Sequence, residues 1–268
     1  MKTYTHGKRG KEDMRDCIAI SNQKGGVGKS TTCNALGAGL HRKGYKVLYV
    51  DMDAQGNLSH SMKANNKAVT SLEVLMGTAT IEEAIIQTPQ GDIVPASPAL
   101  GSADTLIKDT GKEYRLKEAI EPVKGNYDYI LLDCPPALGV LTVNALTACN
   151  NVLIPTQADT YSLQGVGQLA QTIQTVKKYC NRDLSIKGLI ITRYNARAIL
   201  TRDMTDLFDD TAKQLQTKLY NTKIRECIAI KEAQAKQQDI FTYSPKSNAT
   251  ADYTALLEEM LEEEKRGV

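Results

Sequence analysis

Residues 22–32 read Asn-Gln-Lys-Gly-Gly-Val-Gly-Lys-Ser-Thr-Thr and follow directly on the apolar run Cys17-Ile18-Ala19-Ile20. This order of residue types is suited to holding an anion. Glycines have no Cβ, so the backbone can turn sharply and aim its N–H groups inward. A helix starting at about Lys29 adds the partial positive charge of its N-terminus. Lys29 is placed to reach the β- and γ-phosphates of a nucleotide, and the Ser30 hydroxyl is suited to Mg2+. The candidate nucleotide-binding residues of the loop are Lys24, Gly25, Gly26, Val27, Gly28, Lys29, Ser30 and Thr31.

The general pattern G-x-x-x-x-G-K-[ST] fails at one position, where Gln23 replaces the first glycine, and a second lysine, Lys24, sits inside the loop. The variant K-G-G-x-G-K-[ST] is matched in full. It resembles the deviant Walker A motif of the ParA/MinD family of ATPases, and the flanking Asn-Gln and Ser-Thr-Thr look most like ParA-type partition proteins. Three further stretches fall in the family's order. Lys46–Asp53 is a buried-strand run ending in two carboxylates, and with the following Ala-Gln-Gly-Asn it resembles D-x-D-P-Q-G-N, Ala54 standing where proline is usual. Tyr129–Asp133 has the Walker B form, and Cys134-Pro135-Pro136 resembles the switch segment that senses the γ-phosphate. Val152–Gln157 is another apolar strand, with the family's proline. The resemblance covers roughly residues 15–260.

The resemblance implies an ATPase that uses ATP and Mg2+, with Lys24, Lys29 and Asp53 as its catalytic residues. Lys24 would cross a two-fold interface to the partner subunit's nucleotide; read within one subunit, it could instead cap its own loop or sit in water. Asp53 would position the attacking water. Ser30, Asp51 and Asp133 would form the metal side, although strand ends also carry Asp for turn reasons. Phosphoryl transfer needs mostly positioning and charge neutralisation. No arginine finger in cis is visible, so slow turnover is expected. The adenine site would use Thr192–Asn195 and the loop at Ile224-Arg225-Glu226, with Arg225 as a nucleotide-binding residue. The family's I-P-R-N-x-R is broken there: proline is absent, and Ala229 stands where a DNA-binding arginine is common. Arg197, after Asn195-Ala196, and Arg202 are the candidate DNA-binding residues; charge runs are more often solvated faces.

These residues need elements to position them. Apolar runs predict strands near 17–21, 46–51, 92–95, 127–133, 151–155 and 186–192. Helical spacing predicts helices near 29–43, 71–76, 81–87, 112–122, 138–148, 162–180, 200–217 and 248–264. Strand and helix alternate, and the strands are apolar throughout. This predicts an α/β single-domain P-loop NTPase, a mostly parallel sheet with helices on both faces. All the motifs then fall at the carboxyl ends of strands, where such sheets bind ligands. Residues 56–110 are the least regular.

Composition bounds the rest. A chain of 268 residues with 41% hydrophobic content can build one large α/β domain. No linker-like stretch divides it, so residues 15–268 read as one ATPase domain. Residues 1–14 read as a basic flexible tail, with Met14 an alternative start. No run is apolar enough to span a bilayer. Six cysteines without C-x-x-C spacing read as reduced core residues. An iron–sulfur role would need paired ligand cysteines, which Cys134 alone does not supply. The formal net charge is only +2, but residues 177–202 form a basic run that includes Lys187. The last helix is acidic over 258–264, which disfavours anionic lipid. The resemblance therefore implies a cytoplasmic, nucleoid-associated ATPase that forms a homodimer with ATP. It would bind double-stranded DNA without sequence preference and answer to a ParB-like centromere-binding protein, with no membrane partner. The alternatives are a same-fold positioning ATPase acting on a membrane or protein scaffold, and a metabolic P-loop enzyme, for which no second substrate motif is visible.

Overall fold

The computed structural model describes residues 15–64, 69–195 and 199–266, without the side chains of 199–202. The basic segment 1–14, Arg197 and the side chain of Arg202 therefore lie outside the described residues. Seven strands form one sheet: β1 (Asp16–Ile20), β2 (Val47–Asp51), β3 (Ile86–Thr88), β4 (Gly91–Val94), β5 (Tyr129–Asp133), β6 (Asn151–Thr156) and β7 (Ser185–Ile191). Their order is β3-β4-β2-β5-β1-β6-β7. All neighbours are parallel except β3, which runs antiparallel to β4 at the edge. The helices are α1 (Lys29–Arg42), α2 (Asn57–Ser61), α3 (Ser71–Met76), α4 (Ile81–Ala84), α5 (Ala103–Leu106), α6 (Arg115–Ile120), α7 (Val140–Ala148), α8 (Thr160–Tyr179), α9 (Ile199–Gln214), α10 (Ile228–Ala235), α11 (Ile240–Tyr243) and α12 (Asn248–Arg266).

The central strands are apolar at every position because both faces are covered. Successive side chains alternate between two cores. Cys17, Ala19, Leu48, Val50, Ile130 and Leu132 pack with α3, α6, α7, α8 and α9. Ile18, Ile20, Val47, Tyr49, Tyr129 and Leu131 pack with α1, α10, α11 and α12. The expected helix over 81–87 is corrected. Thr80 and Glu83 form a capping box that starts α4, but the helix ends at Ala84. Ile86–Thr88 instead pair with β4. The β-branched Ile85 and Ile86, followed by Thr88-Pro89, favour an extended edge over a second helical turn. The short helices α2, α5, α10 and α11 were not anticipated.

Two glycines let α1 lie close to its neighbours. A Cβ on Gly37 would come within 2.3 Å of the Tyr49 ring, and one on Gly39 within 2.8 Å of Leu257. Tyr49 cannot yield easily, because it is fully buried and its hydroxyl donates to the Gln90 carbonyl at 3.2 Å. Gly37→Ala should therefore destabilise the fold by about 1–3 kcal/mol, despite alanine's better helix propensity. Urea unfolding of Gly37→Ala, Tyr49→Leu and the double variant checks this. The double variant should lose clearly less than the sum of the two single losses; strict additivity would mean the two side chains do not compete for space.

Candidate nucleotide site

The loop from Ser21 to Gly28 joins β1 to α1, and its shape is set by glycine conformation and side-chain straps. Gly26 and Gly28 have φ of 75° and 84°, in the left-handed region that glycine favours. Gly25 contributes instead by leaving open space. Asn22 is fully buried and donates through Nδ2 to the Pro155 carbonyl at 2.8 Å. Gln157 Nε2 donates to the Gly26 carbonyl at 3.0 Å, and Thr192 Oγ1 to the Val27 carbonyl at 2.8 Å. The ends of β6 and β7 thus hold the loop from one side. Val27 itself points into the core and offers the site only its backbone.

The loop borders a cleft of about 540 Å3 that is also lined by Lys29, Ser30, Thr31, Asp53, Pro136 and Gln234. Lys29 is only 6% exposed, and its Nζ donates back to the Lys24 carbonyl at 3.3 Å. Burial lowers the pKa of its ammonium, while Asp133 and Asp53 pull it the other way. A cation held in a polar, partly dry cleft is a strong phosphate ligand. Lys24 does not line this cleft. Its Nζ sits 2.6 Å from Asp159 Oδ2 and 3.4 Å from Gln157 Oε1.

The carboxylates divide into distinct environments. β2 and β5 end in register, so Asp51 pairs with Asp133 across the two strands. Both are fully buried. Asp51 accepts from the Ser59 amide at 2.8 Å, the Ser59 hydroxyl at 2.6 Å and the Asp53 amide at 3.1 Å. Its carboxylate is therefore turned to the 53–59 segment, and it does not line the cleft. Among the described residues neither oxygen of Asp133 has a hydrogen-bond partner at bonding geometry, the Ser30 hydroxyl being only nearby. Burial, then the Asp51 charge, pushes its carboxyl well above the usual range; the nearby Ser30 hydroxyl only partly opposes this. Asp53 lies at the cleft wall, 9% exposed, with Oδ1 accepting from the Gln55 amide at 3.0 Å.

An orphaned buried carboxylate beside a helix-start serine fits Mg2+. That ion takes one or two carboxylates together with phosphate oxygens, not an all-protein cage. Among the described residues no group of three or more His, Cys, Asp or Glu side chains is placed to hold a metal by itself. Asp133 and Ser30 would hold the ion, which supplies charge neutralisation at the phosphates. The neighbouring Cys134 thiol is fully buried, and burial pushes its pKa well up, so it is inert.

A second, smaller recess of about 80 Å3 opens between Thr192-Arg193 and Ile224–Cys227. Arg225 borders it, but its guanidinium is committed to Asp252 on α12, with Nη2 2.5 Å from Oδ1 and Nε 3.0 Å from Oδ2. Its backbone amide donates to the same carboxylate at 2.9 Å. Arg225 thus anchors the loop that borders this recess.

The family profile described as "AAA domain" matches residues 15–186. The sporulation initiation inhibitor protein Soj of Bacillus subtilis (strain 168) is 39% identical over 252 residues, covering 92% of this chain and 98% of Soj. The chromosome partitioning protein ParA of Myxococcus xanthus (strain DK1622) is 36% identical, covering 96% of this chain and 92% of that protein. The chain belongs to the ParA/MinD family of deviant Walker A ATPases. A crystal structure of cobyrinic acid a,c-diamide synthase from Mycobacterium smegmatis with bound ADP and magnesium has the same fold. Its TM-score is 0.82 at 33% identity, over 95% of this chain and 97% of that one. This ParA/MinD-family protein binds ATP and Mg2+ and hydrolyses ATP, a positioning or partition ATPase.

Among the described residues the basic run from 177 to 193 is not one patch in this ATPase. Lys187 is drawn inside, 2.7 Å from Asp16 and 3.2 Å from Glu264, with its side chain 12% exposed. Exposed Lys177, Lys178 and Arg182 lie where α8 gives way to β7, and Arg193 lies past the far end of β7. A seven-residue strand at about 3.3 Å per residue separates the two groups by about 20 Å. Sequence reasoning did not single out the straps Asn22 and Gln157, or Asp159. Asp159 has a legible signal: it is an aspartate at the N-cap of α8, accepting from the Ser162 amide at 2.9 Å.

Lys29→Ala should abolish measurable nucleotide binding in calorimetry; wild-type-like affinity would exclude this cleft. Asp133→Asn should remove the Mg2+ dependence of nucleotide affinity yet stabilise the nucleotide-free chain at pH 7 by about 1 kcal/mol or more. The sign follows from linkage. A carboxyl whose pKa is raised by folding binds its proton more readily in the folded state, so stability falls as pH rises through the window above its ordinary value. Thermal melts between pH 5 and 8 should show this downward slope in the wild type, and a flatter profile in Asp133→Asn.

Proposed function

We propose that this ATPase partitions DNA: it forms a nucleotide-sandwich homodimer with ATP, binds double-stranded DNA without sequence preference in that state, and is released by slow hydrolysis stimulated by a ParB-like centromere-binding protein. The observation that favours DNA over a membrane is the packing of α12. Its apolar residues Tyr253, Leu256, Leu257 and Met260 are buried against the α1 side of the sheet, so this amphipathic helix has no free face to lay on lipid. No described helix is long and apolar enough to cross a membrane. The relatives named for chromosome partitioning support the same reading.

In this reading Lys29 neutralises the phosphates, Asp133 and Ser30 hold Mg2+, and Asp53 positions the attacking water. Lys24 acts on the partner subunit's nucleotide. Within one chain it is turned to Asp159, away from its own cleft. The pair is partly exposed, at 28% and 31% for the two side chains, so it contributes at most about 1 kcal/mol and can be exchanged for phosphate.

Four measurements check the proposal. Lys24→Ala should bind nucleotide but lose the dimer that a non-hydrolysable ATP analogue induces, read by light scattering; an undiminished dimer would give Lys24 a role within its own chain. Asp53→Ala should retain ATP and accumulate as a dimer, with phosphate release falling at least tenfold. Duplex DNA binding should require ATP, tolerate unrelated sequences and weaken steeply between two salt concentrations in an anisotropy titration. Arg197 and Arg202 remain the proposed contacts. Beyond them α9 exposes Asp203, Asp206 and Asp210, which confines any phosphate contact to the start of that helix. Charge reversal at both arginines should weaken DNA binding and spare the dimer. Binding confined to one sequence would favour a protein-scaffold role.

A further inference from the structure

The phosphate cleft and the smaller recess share four residues: Gly28, Thr31, Arg193 and Gln234. Lys29 and the glycine loop fix the phosphate end. The recess between Thr192-Arg193 and Ile224–Cys227 adjoins the cleft and offers a place for the base. A nucleotide laid across both puts its sugar at the shared residues. Of these, Gly28 has no side chain. Thr31 and Gln234 are already coupled: Gln234 Nε2 donates to Thr31 Oγ1 at 3.0 Å. A hydroxyl that accepts from an amide keeps its own proton for another acceptor. The bond therefore frees the Thr31 proton for a phosphate oxygen. It also leaves Gln234 Oε1 without a hydrogen-bond partner among the described residues, on a half-buried side chain that borders both spaces. The placement is fixed by α10, whose Ala229 and Ala233 are buried in the core immediately before Gln234.

We infer that Gln234 Oε1 accepts a hydrogen bond from a ribose hydroxyl, and that Gln234 makes this site select ribonucleotides over deoxyribonucleotides. The inference rests on the nucleotide reading of the cleft and adds to it a specificity-determining residue. An acceptor in a partly desolvated site rejects a ligand that lacks the matching donor, because its own hydrogen bond is then unmade.

The test is isothermal titration calorimetry of the full chain with Mg2+ and ADP, 2′-deoxy-ADP or 3′-deoxy-ADP, ligands that bind without turnover. In the wild type, one of the deoxy forms should bind about five- to tenfold more weakly than ADP. In Gln234→Leu the affinity for ADP should drop to that of the deoxy form, bringing the ratio to about one. Gln234→Glu keeps an acceptor and should keep the ratio, although its charge beside the phosphates weakens both ligands. A wild type that binds ADP and both deoxy forms equally overturns the inference without involving any variant. So does a ratio unchanged in Gln234→Leu. If ADP itself fails to bind the wild type, the nucleotide reading falls and the ribose assignment falls with it.

Discussion

Two carboxylates that should repel each other are forced together by the register of a parallel sheet. β2 and β5 run in step, so their last residues, Asp51 and Asp133, end side by side with no exposure to solvent. The separate fates of this pair organise the site. Asp51 is compensated locally, because three donors from Ser59 and Asp53 converge on it and thereby set the path of the chain that carries Asp53 to the cleft wall. Asp133 is offset only in part, by the nearby Ser30 hydroxyl and the Lys29 charge, while burial and its neighbour both raise its pKa. A carboxylate left in that state is costly to the empty protein and well suited to a divalent ion. The site thus holds part of the fold's electrostatic strain as readiness for ligand.

The phosphate loop answers this charge. Lys29 is drawn into the same cleft, where Asp133 and Asp53 favour its charged form and burial opposes it. The loop that carries it has few apolar contacts of its own, Val27 excepted, and depends on Asn22, Gln157 and Thr192 for its shape. These straps bind β1, β6 and β7 to the loop at the carboxyl edge of the sheet. Each donates to a backbone carbonyl, and Asn22 also accepts the Lys24 amide at 3.0 Å, so side chains rather than apolar packing set the path of the loop.

What the sequence made legible follows from how local each signal is. The strands could be read because burial on both faces makes every position apolar, and the phosphate loop because its glycines, lysine and serine are contiguous. The run at 81–87 resembles a helix because its helix start is local, a Thr80–Glu83 capping box, while its conversion to an edge strand depends on β4. Helix α10 escaped notice because Cys227 supplies no side-chain cap and only Ala229 and Ala233 are buried along it. In the candidate site, the motifs of Lys29, Ser30 and Asp53 are contiguous with strand ends, and the fold brings these three side chains to one cleft. The turning of Arg225 toward Asp252, 27 residues away, has no such local signal. Lys187 is the plainest case. It sits in a basic run, and the acids that draw it inside lie 171 and 77 residues away in sequence.

One of those acids changes the meaning of the C-terminal helix. A run of glutamates at 258–264 looks like a solvated acidic stripe, and its sign alone argues against anionic lipid. In the fold, three of the glutamates accept from groups on the neighbouring segments. Glu259 takes the amides of Asn221 and Thr222 at 2.9 and 3.0 Å, Glu263 pairs with Lys218, and Glu264 receives the Tyr129 hydroxyl at 2.6 Å. Burial pushes the Glu259 carboxyl up, and the hydrogen bonds from Asn221 and Thr222 outweigh it, leaving its pKa below the ordinary value. The acids thus secure the irregular segment beside β7 and the amino-terminal end of the sheet, while the apolar side of the same helix closes the core over α1. Acidity and docking are two aspects of one constraint: the helix cannot offer its apolar face to another surface without also releasing Lys187, Tyr129 and the 218–222 segment.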